Sequence, residues 1–252
     1  MRLNPHYPPW YLYELGFASL MTGRYAEAME ALKEVISQNP NFVAAHFLLG
    51  LSYLWQWVAQ QSPTTQTLEP AVAVMQRALA LSDALHWNHL ALGRIYLYQR
   101  QYDQALVEIK QGAALAPNEA GSHALLAEVL SYMDRTEATL AAAAQALRLK
   151  SFIADDHLGY VGIAYTVAGR YEEARAPLQG FLNRYPNRLD IHLMLAAVYS
   201  ELGQAVEAQK EAAEVLRLNP NFSLAVHKQR MPIKDPAVLE RHLAALRKAG
   251  LK

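Results

Sequence analysis

One feature constrains this chain more than any other, a pattern that returns every 34 residues. Between His86 and Glu119 the sequence reads HWNHLALGRIYLYQRQYDQALVEIKQGAALAPNE, two amphipathic stretches joined by a short turn. His89, Leu92-Gly93, Tyr96, Ala105, Ile109 and Pro117 hold fixed places in it, and steps of 34 residues recover those places in both directions. A period of this length marks one supersecondary unit, unable to bury its apolar face alone and stable only when stacked on its neighbours. The expectation is an all-α, right-handed solenoid of helical hairpins.

Six copies fall at 9–42, 43–85, 86–119, 120–153, 155–188 and 189–222. The first carries Leu15-Gly16, Ala28, Leu32 and Pro40; the sixth carries Leu195-Ala196, Tyr199, Ala208 and Pro220. Small residues such as Gly93, Ala105 and Gly112 stand where two helices must approach closely, because a mid-helix glycine costs about 0.5–1 kcal/mol and recurs only for packing. Prolines at 40, 117, 186 and 220 end four of the six hairpins. Three places depart from the pattern. The second copy carries an insertion around 60–68, with Thr67 as the expected cap of the next helix. SFIADD replaces the usual turn between copies four and five, and Pro177 falls inside a second helix, where it should produce a kink.

After residue 222 the pattern stops. Asp235-Pro236 starts a helix and Gly250 ends it, with Leu239, Leu243 and Leu246 on one stripe and Glu240, Arg241, Arg247 and Lys248 facing away. Residues 223–252 therefore read as the cap that a solenoid needs over its last apolar face. At the other end, MRLNPHYP (1–8) aligns with LRLNPNFS (216–223), the end of a second helix. The expectation is that the chain opens with the tail of a preceding repeat and is part of a longer protein; the alternative is a natural start with a frayed leader.

Composition narrows the function. Lys plus Arg and Asp plus Glu both number 23, so no net charge draws the chain to nucleic acid or an anionic membrane. There is no cysteine, which excludes disulfide scaffolds, thiol catalysis and Cys-based zinc sites. The first residues lack the layout of a secretory signal, and the most apolar run, 46–59, is too short to span a bilayer. A cytoplasmic protein is expected.

On the residues quoted above the whole chain resembles the tetratricopeptide repeat family. More narrowly, RLNPHYPPWYLYELG, LAAVYSELGQ, EVLRLNPNFSL and KDPAVLERHLAALRKAGLK resemble the C-terminal repeat arrays of bacterial adenylate/guanylate cyclase-type proteins. In those, the catalytic or DNA-binding part lies N-terminal to the repeats; nothing in this chain matches a cyclase catalytic domain, and the alternative that the resemblance implies is a regulatory or oligomerisation arm of such an N-terminal catalytic domain.

The family resemblance implies that the first helix of each repeat lines a concave groove through its places 2, 5, 9, 12 and 13. These are Trp10, Tyr13, Phe17, Leu20 and Met21, then Ala44, Phe47, Leu51, Leu54 and Trp55, then Trp87, Leu90, Arg94, Leu97 and Tyr98. From the fourth repeat on they turn polar, with Glu128 and Tyr132, then Asp190. An apolar, aromatic half-groove is the kind of surface that takes a partner, with Trp, Tyr and Arg as favoured anchors. The expected occupant is a peptide or partner helix, with a second copy or a missing N-terminal region as the alternative. The residues with which some family members grip chaperone carboxylates are replaced here by Tyr13, Phe17, Leu48, Trp87 and Ala91.

No cofactor, metal or catalysis is expected. His46, His89, His123 and His192 share the fourth place of their repeats, which successive hairpins hold about 10 Å or more apart, too far for one metal ion. His86 and His89 share a helix edge but lack a third ligand. Asp155-Asp156-His157 reads as a helix start, and no phosphate loop, nucleophile elbow or HExxH is present.

Overall fold

A computed structural model describes residues 7–63, 67–149 and 157–252. Among them it places fourteen helices and no strand. The first helices of the hairpins are α1 (Pro9–Met21), α3 (Val43–Val58), α5 (His86–Tyr98), α7 (Ala120–Tyr132), α9 (Leu158–Val167) and α11 (Leu189–Glu201). They alternate with α2 (Tyr25–Gln38), α4 (Glu69–Leu81), α6 (Tyr102–Leu115), α8 (Thr136–Leu149), α10 (Tyr171–Arg184) and α12 (Ala205–Leu218). The short α13 (Leu224–Arg230) and α14 (Pro236–Lys248) follow.

Local chemistry explains the hairpins. Each first helix ends on a residue in the left-handed region: Gly23, Gln60, Arg100, Asp134, Gly169 and Gly203, with φ between 56° and 77°. Such a residue turns the chain sharply enough to start the second helix. Gly93 and Gly112 mark where paired helices touch. A Cβ on Gly93 would lie 2.7 Å from Ile109 Cγ1 and 3.0 Å from the Ala105 carbonyl oxygen. One on Gly112 would lie 2.8 Å from Leu90 and 2.9 Å from the His86 carbonyl oxygen. Gly112→Ala is therefore expected to cost about 1–3 kcal/mol through overpacking, despite its gain of up to about 1 kcal/mol in helix propensity. A thermal melt that rises instead would refute the packing reason.

The recurring histidines hold the turns between hairpins. Nε2 donates to the carbonyl six residues earlier in each case: His46 to Pro40 (2.9 Å), His89 to Asp83 (3.0 Å), His123 to Pro117 (2.8 Å) and His192 to Pro186 (2.9 Å). Nδ1 of His89 meets Glu108 at 2.7 Å and that of His192 meets Glu211 at 2.5 Å. His86 turns to another carboxylate, Glu119, at 2.5 Å, so His86 and His89 do not converge on a common point.

One local expectation changes. Leu68, not Thr67, occupies the cap position of α4, and no side chain caps it. Pro177 lies inside α10, where the sequence put it. The Asp235 side chain does cap α14, accepting from Ala237 N at 2.8 Å. Residues 1–6, most of the expected leading tail, lie outside the described residues, as do 64–66 and the junction 150–156 with Asp155 and Asp156.

The array curls until its ends meet. Asn187 Nδ2 donates to the Thr22 carbonyl (3.3 Å), Asn219 Nδ2 to that of Ala59 (2.9 Å), and the Gln60 side chain pairs with both backbone groups of Ser223 at 3.0 Å. Helix α11 is consequently buried at every residue from Leu189 to Ser200. The first helices thus enclose a narrow bore instead of lining an open groove. No helix is long and apolar enough to cross a membrane among the described residues.

Candidate functional site

The bore is layered, because inward residues recur every three or four positions along each helix. Helix α5 contributes Trp87, then Leu90, then Arg94, then Tyr98; α7 contributes Leu125, Glu128 and Tyr132; α3 contributes Phe47, Leu51 and Trp55.

The middle layer is ionic. Arg94 Nη2 donates to Glu128 Oε1 at 2.9 Å, while Nε and Oε2 stand 2.9 Å apart without hydrogen-bond alignment. Arg188 grips Asp190 with two bonds, Nε to Oδ1 at 2.9 Å and Nη2 to Oδ2 at 2.7 Å. Both guanidiniums lie over the Trp55 ring, at 4.4 Å for Arg94 and 4.0 Å for Arg188, and Arg94 also covers Tyr160 at 4.4 Å. Burial works against both positive charges, and Glu128 and Asp190 overcome it. Burial also pushes the Glu128 carboxyl above its ordinary range, with Arg94 opposing. Beneath lie Tyr98 and Tyr132, hydroxyls adjacent, with phenol pKa values driven up by burial.

At the mouth the bore widens into a cavity of about 290 Å³. Helices α1 and α3 supply Phe17, Met21, Phe47 and Leu51 on one side; Trp87, His157, Tyr160, Phe181 and Tyr185 supply the other, with Trp55 and Arg188 beneath. Trp87 stacks on His157 at 4.8 Å with the planes 20° apart. A shallower recess of about 80 Å³ continues past Leu90, Ala91 and Leu125 towards Arg94.

The structure thus divides the thirteen expected groove residues. Phe17, Met21, Phe47, Leu51, Trp55 and Trp87 share the cavity wall. Trp10, 67% exposed, packs edge-on to Tyr11, and Tyr13 packs on Phe42; neither lines the cavity. Leu90, Arg94, Tyr98, Glu128 and Tyr132 are all at least nine-tenths buried in the curled array, with Leu90 and Arg94 lining the recess of about 80 Å³. The expected polar half-groove is an interior of paired charges. His157, Tyr160, Phe181, Tyr185 and Arg188 stand outside the sequence expectation, since Phe181 and Tyr185 belong to a second helix and its end, and His157 and Arg188 to turns. The bulky aromatic pair at 181 and 185 is the available signal for them.

Two family models match the chain, one described as "Tetratricopeptide repeat" over residues 167–228 and one as "TPR repeat" over residues 20–56. Over 135 residues the chain is 27% identical to anaphase-promoting complex subunit 3 of Schizosaccharomyces pombe, a match that covers 54% of this chain and 19% of that protein. A thermophilic TPR protein of Thermus thermophilus superposes with a TM-score of 0.60 at 21% identity, over 77% of this chain and 99% of that one. The Cut9–Hcn1 hetero-tetramer of the APC/C gives 0.60 at 19% identity, over 93% of this chain and 43% of that one. The chain carries tetratricopeptide repeats and has the fold of an all-α tetratricopeptide solenoid. None of these matches supports the narrower likeness to cyclase-type arrays.

Proposed function

We propose that this protein is a non-catalytic interaction module that receives a bulky apolar side chain of a partner peptide or helix in the aromatic mouth of the bore. One observation carries the reading: the mouth keeps an apolar cavity of about 290 Å³, and the charges of the layer beneath it are paired. That volume suits one or two large side chains, and aromatic and Arg-rich pockets are where interface energy concentrates. Tetratricopeptide folds serve protein partners, as in the APC/C assembly above. The cytoplasmic setting expected from the sequence belongs to the same proposal.

Leu51 is the residue to test, half-buried in the wall between Phe47 and Trp55. Leu51→Arg is expected to reduce partner binding at least tenfold, which corresponds to about 1.4 kcal/mol or more, while helical content by circular dichroism is kept. A photo-crosslinker at Phe17, 41% exposed, is expected to give a discrete protein adduct that the same group at Val206, 77% exposed, does not. Identical adducts at both positions would remove the mouth from consideration.

A further inference from the structure

The C-terminal arm lies across the opposite end of the bore, where the first helices end. There the last carbonyls of a helix carry its negative dipole end, and the arm brings donors to one helix after another. Arg230 donates to the Trp57 carbonyl at the end of α3, Lys234 N to that of Tyr132 at the end of α7 (2.9 Å), Arg241 to that of Val167 on α9 (3.4 Å) and Lys248 to that of Ser200 on α11 (3.0 Å).

Between α13 and α14 the arm has no helix of its own. Residues 231–233 form neither helix nor strand and Lys234 makes a bend, and their backbone is held by the array. Arg100 Nη2 donates to the carbonyls of Gln229 (3.2 Å) and Met231 (2.8 Å), and Tyr102 Oη donates to that of Pro232 (3.2 Å). Met231, Pro232 and Ile233 are all buried, Met231 4% and Ile233 3% exposed. The basic groups flank aromatic rings: Arg230 stands over Trp57 at 4.6 Å and Lys234 over Tyr102 at 5.7 Å. Recognition of backbone carbonyls together with burial of apolar side chains is how a groove binds a peptide segment.

We propose that the rim formed by Trp57, Arg100, Tyr102 and Tyr132 is a peptide-binding site occupied in cis by residues 229–235. Its partner in trans is a peptide of the same chemistry, a proline between two apolar residues with a basic residue at each side. The site is separate from the aromatic mouth. Release of the segment leaves α14 anchored, since Leu243 and Leu246 remain fully buried on the array side of that helix, so the exchange is local and not global unfolding.

The test uses the full chain and a fluorescein-labelled heptapeptide of sequence QRMPIKD. Ile233→Asp ejects the resident segment, and the variant is expected to bind the peptide at least tenfold more tightly than the unaltered chain. Adding Arg100→Ala is expected to abolish that gain. Equal affinity in all three chains, or a variant that responds only by exchanging arms into a dimer, overturns the proposal. Native hydrogen exchange on the unaltered chain decides independently of how the variant folds. The Lys234 amide is expected to exchange at least tenfold faster than the amides of Leu193–Ala197 in α11. Equal protection at the two places overturns it.

Discussion

Glu128→Ala is expected to destabilise the protein by about 3–5 kcal/mol, the usual cost of leaving one partner of a buried ion pair without the other. Arg94 is 2% exposed and Glu128 is not exposed at all, so the stranded guanidinium is left poorly solvated beside a recess of only about 80 Å³. It also stands 4.4 Å from both Trp55 and Tyr160, neither of which replaces a carboxylate. Against a total stability of about 5–15 kcal/mol for a domain, such a loss is a large fraction of the whole. The paired replacement Arg94→Met with Glu128→Leu removes both charges and keeps apolar volume, so it is expected to be far milder than the single change, since a well-packed apolar substitute for a buried pair is often neutral. Urea midpoints at an unchanged denaturant slope measure both. A loss under about 1 kcal/mol for Glu128→Ala would show that water reaches this layer and that the bore is open.

Acidification is expected to loosen the C-terminal arm. His227 on α13 and His242 on α14 face each other with Nε2 atoms 3.1 Å apart, both buried, and Phe222 packs on His227 at 5.7 Å. Arg241 lies beside His242, with Tyr171 and Glu201 on the same small recess, and Lys228 pairs with Glu240 on the exposed side of the two helices. Burial holds the His227 pKa well below its ordinary value, and burial with Arg241 brings that of His242 down from 6.5 to about 4. The unfolded chain therefore binds more protons below pH 6.5, and the stability present above that pH is lost as pH falls towards 4. For His242 alone the loss is about 2 kcal/mol at pH 5 and about 3 kcal/mol at pH 4.

His192 works in the opposite direction. Glu211 and the Pro186 carbonyl outweigh burial and raise its pKa, so its contribution is present below pH 6.5 and fades as pH rises. Denaturation measured from pH 9 to pH 4 separates the two, His192 above pH 6.5 and the buried pair below it. Replacing the pair by His227→Phe with His242→Leu is expected to flatten the acid limb, and an unchanged limb would locate the titration elsewhere.

The division between what can and cannot be read from the residues follows contact range. The glycine at 112 is legible as a close approach because its partner lies within the same hairpin. The histidine at the fourth place is legible as structural for the same reason, since its carbonyl is only six residues away. Arg94, by contrast, reads as a ligand-facing residue of an open groove. Nothing near it in sequence announces that Trp55, Tyr160 and Glu128 will surround it, or that Arg188 will cross the bore to share Trp55. Arg241 and Lys248 read as solvent-facing for a similar reason, and instead reach the ends of α9 and α11.

By itself, then, the sequence determined the hairpin, its period and the stacking of one copy on the next, because those follow from periodicity and from contacts within about forty residues. How far the stack curls is another matter. Small rotations between neighbouring hairpins add up along the array, and only the tertiary structure shows that the sum brings Asn187 to Thr22 and Asn219 to Ala59. That closure turned an expected groove into a bore, buried its ionic layer, and left one aromatic mouth open at one end with the chain's own arm across the other.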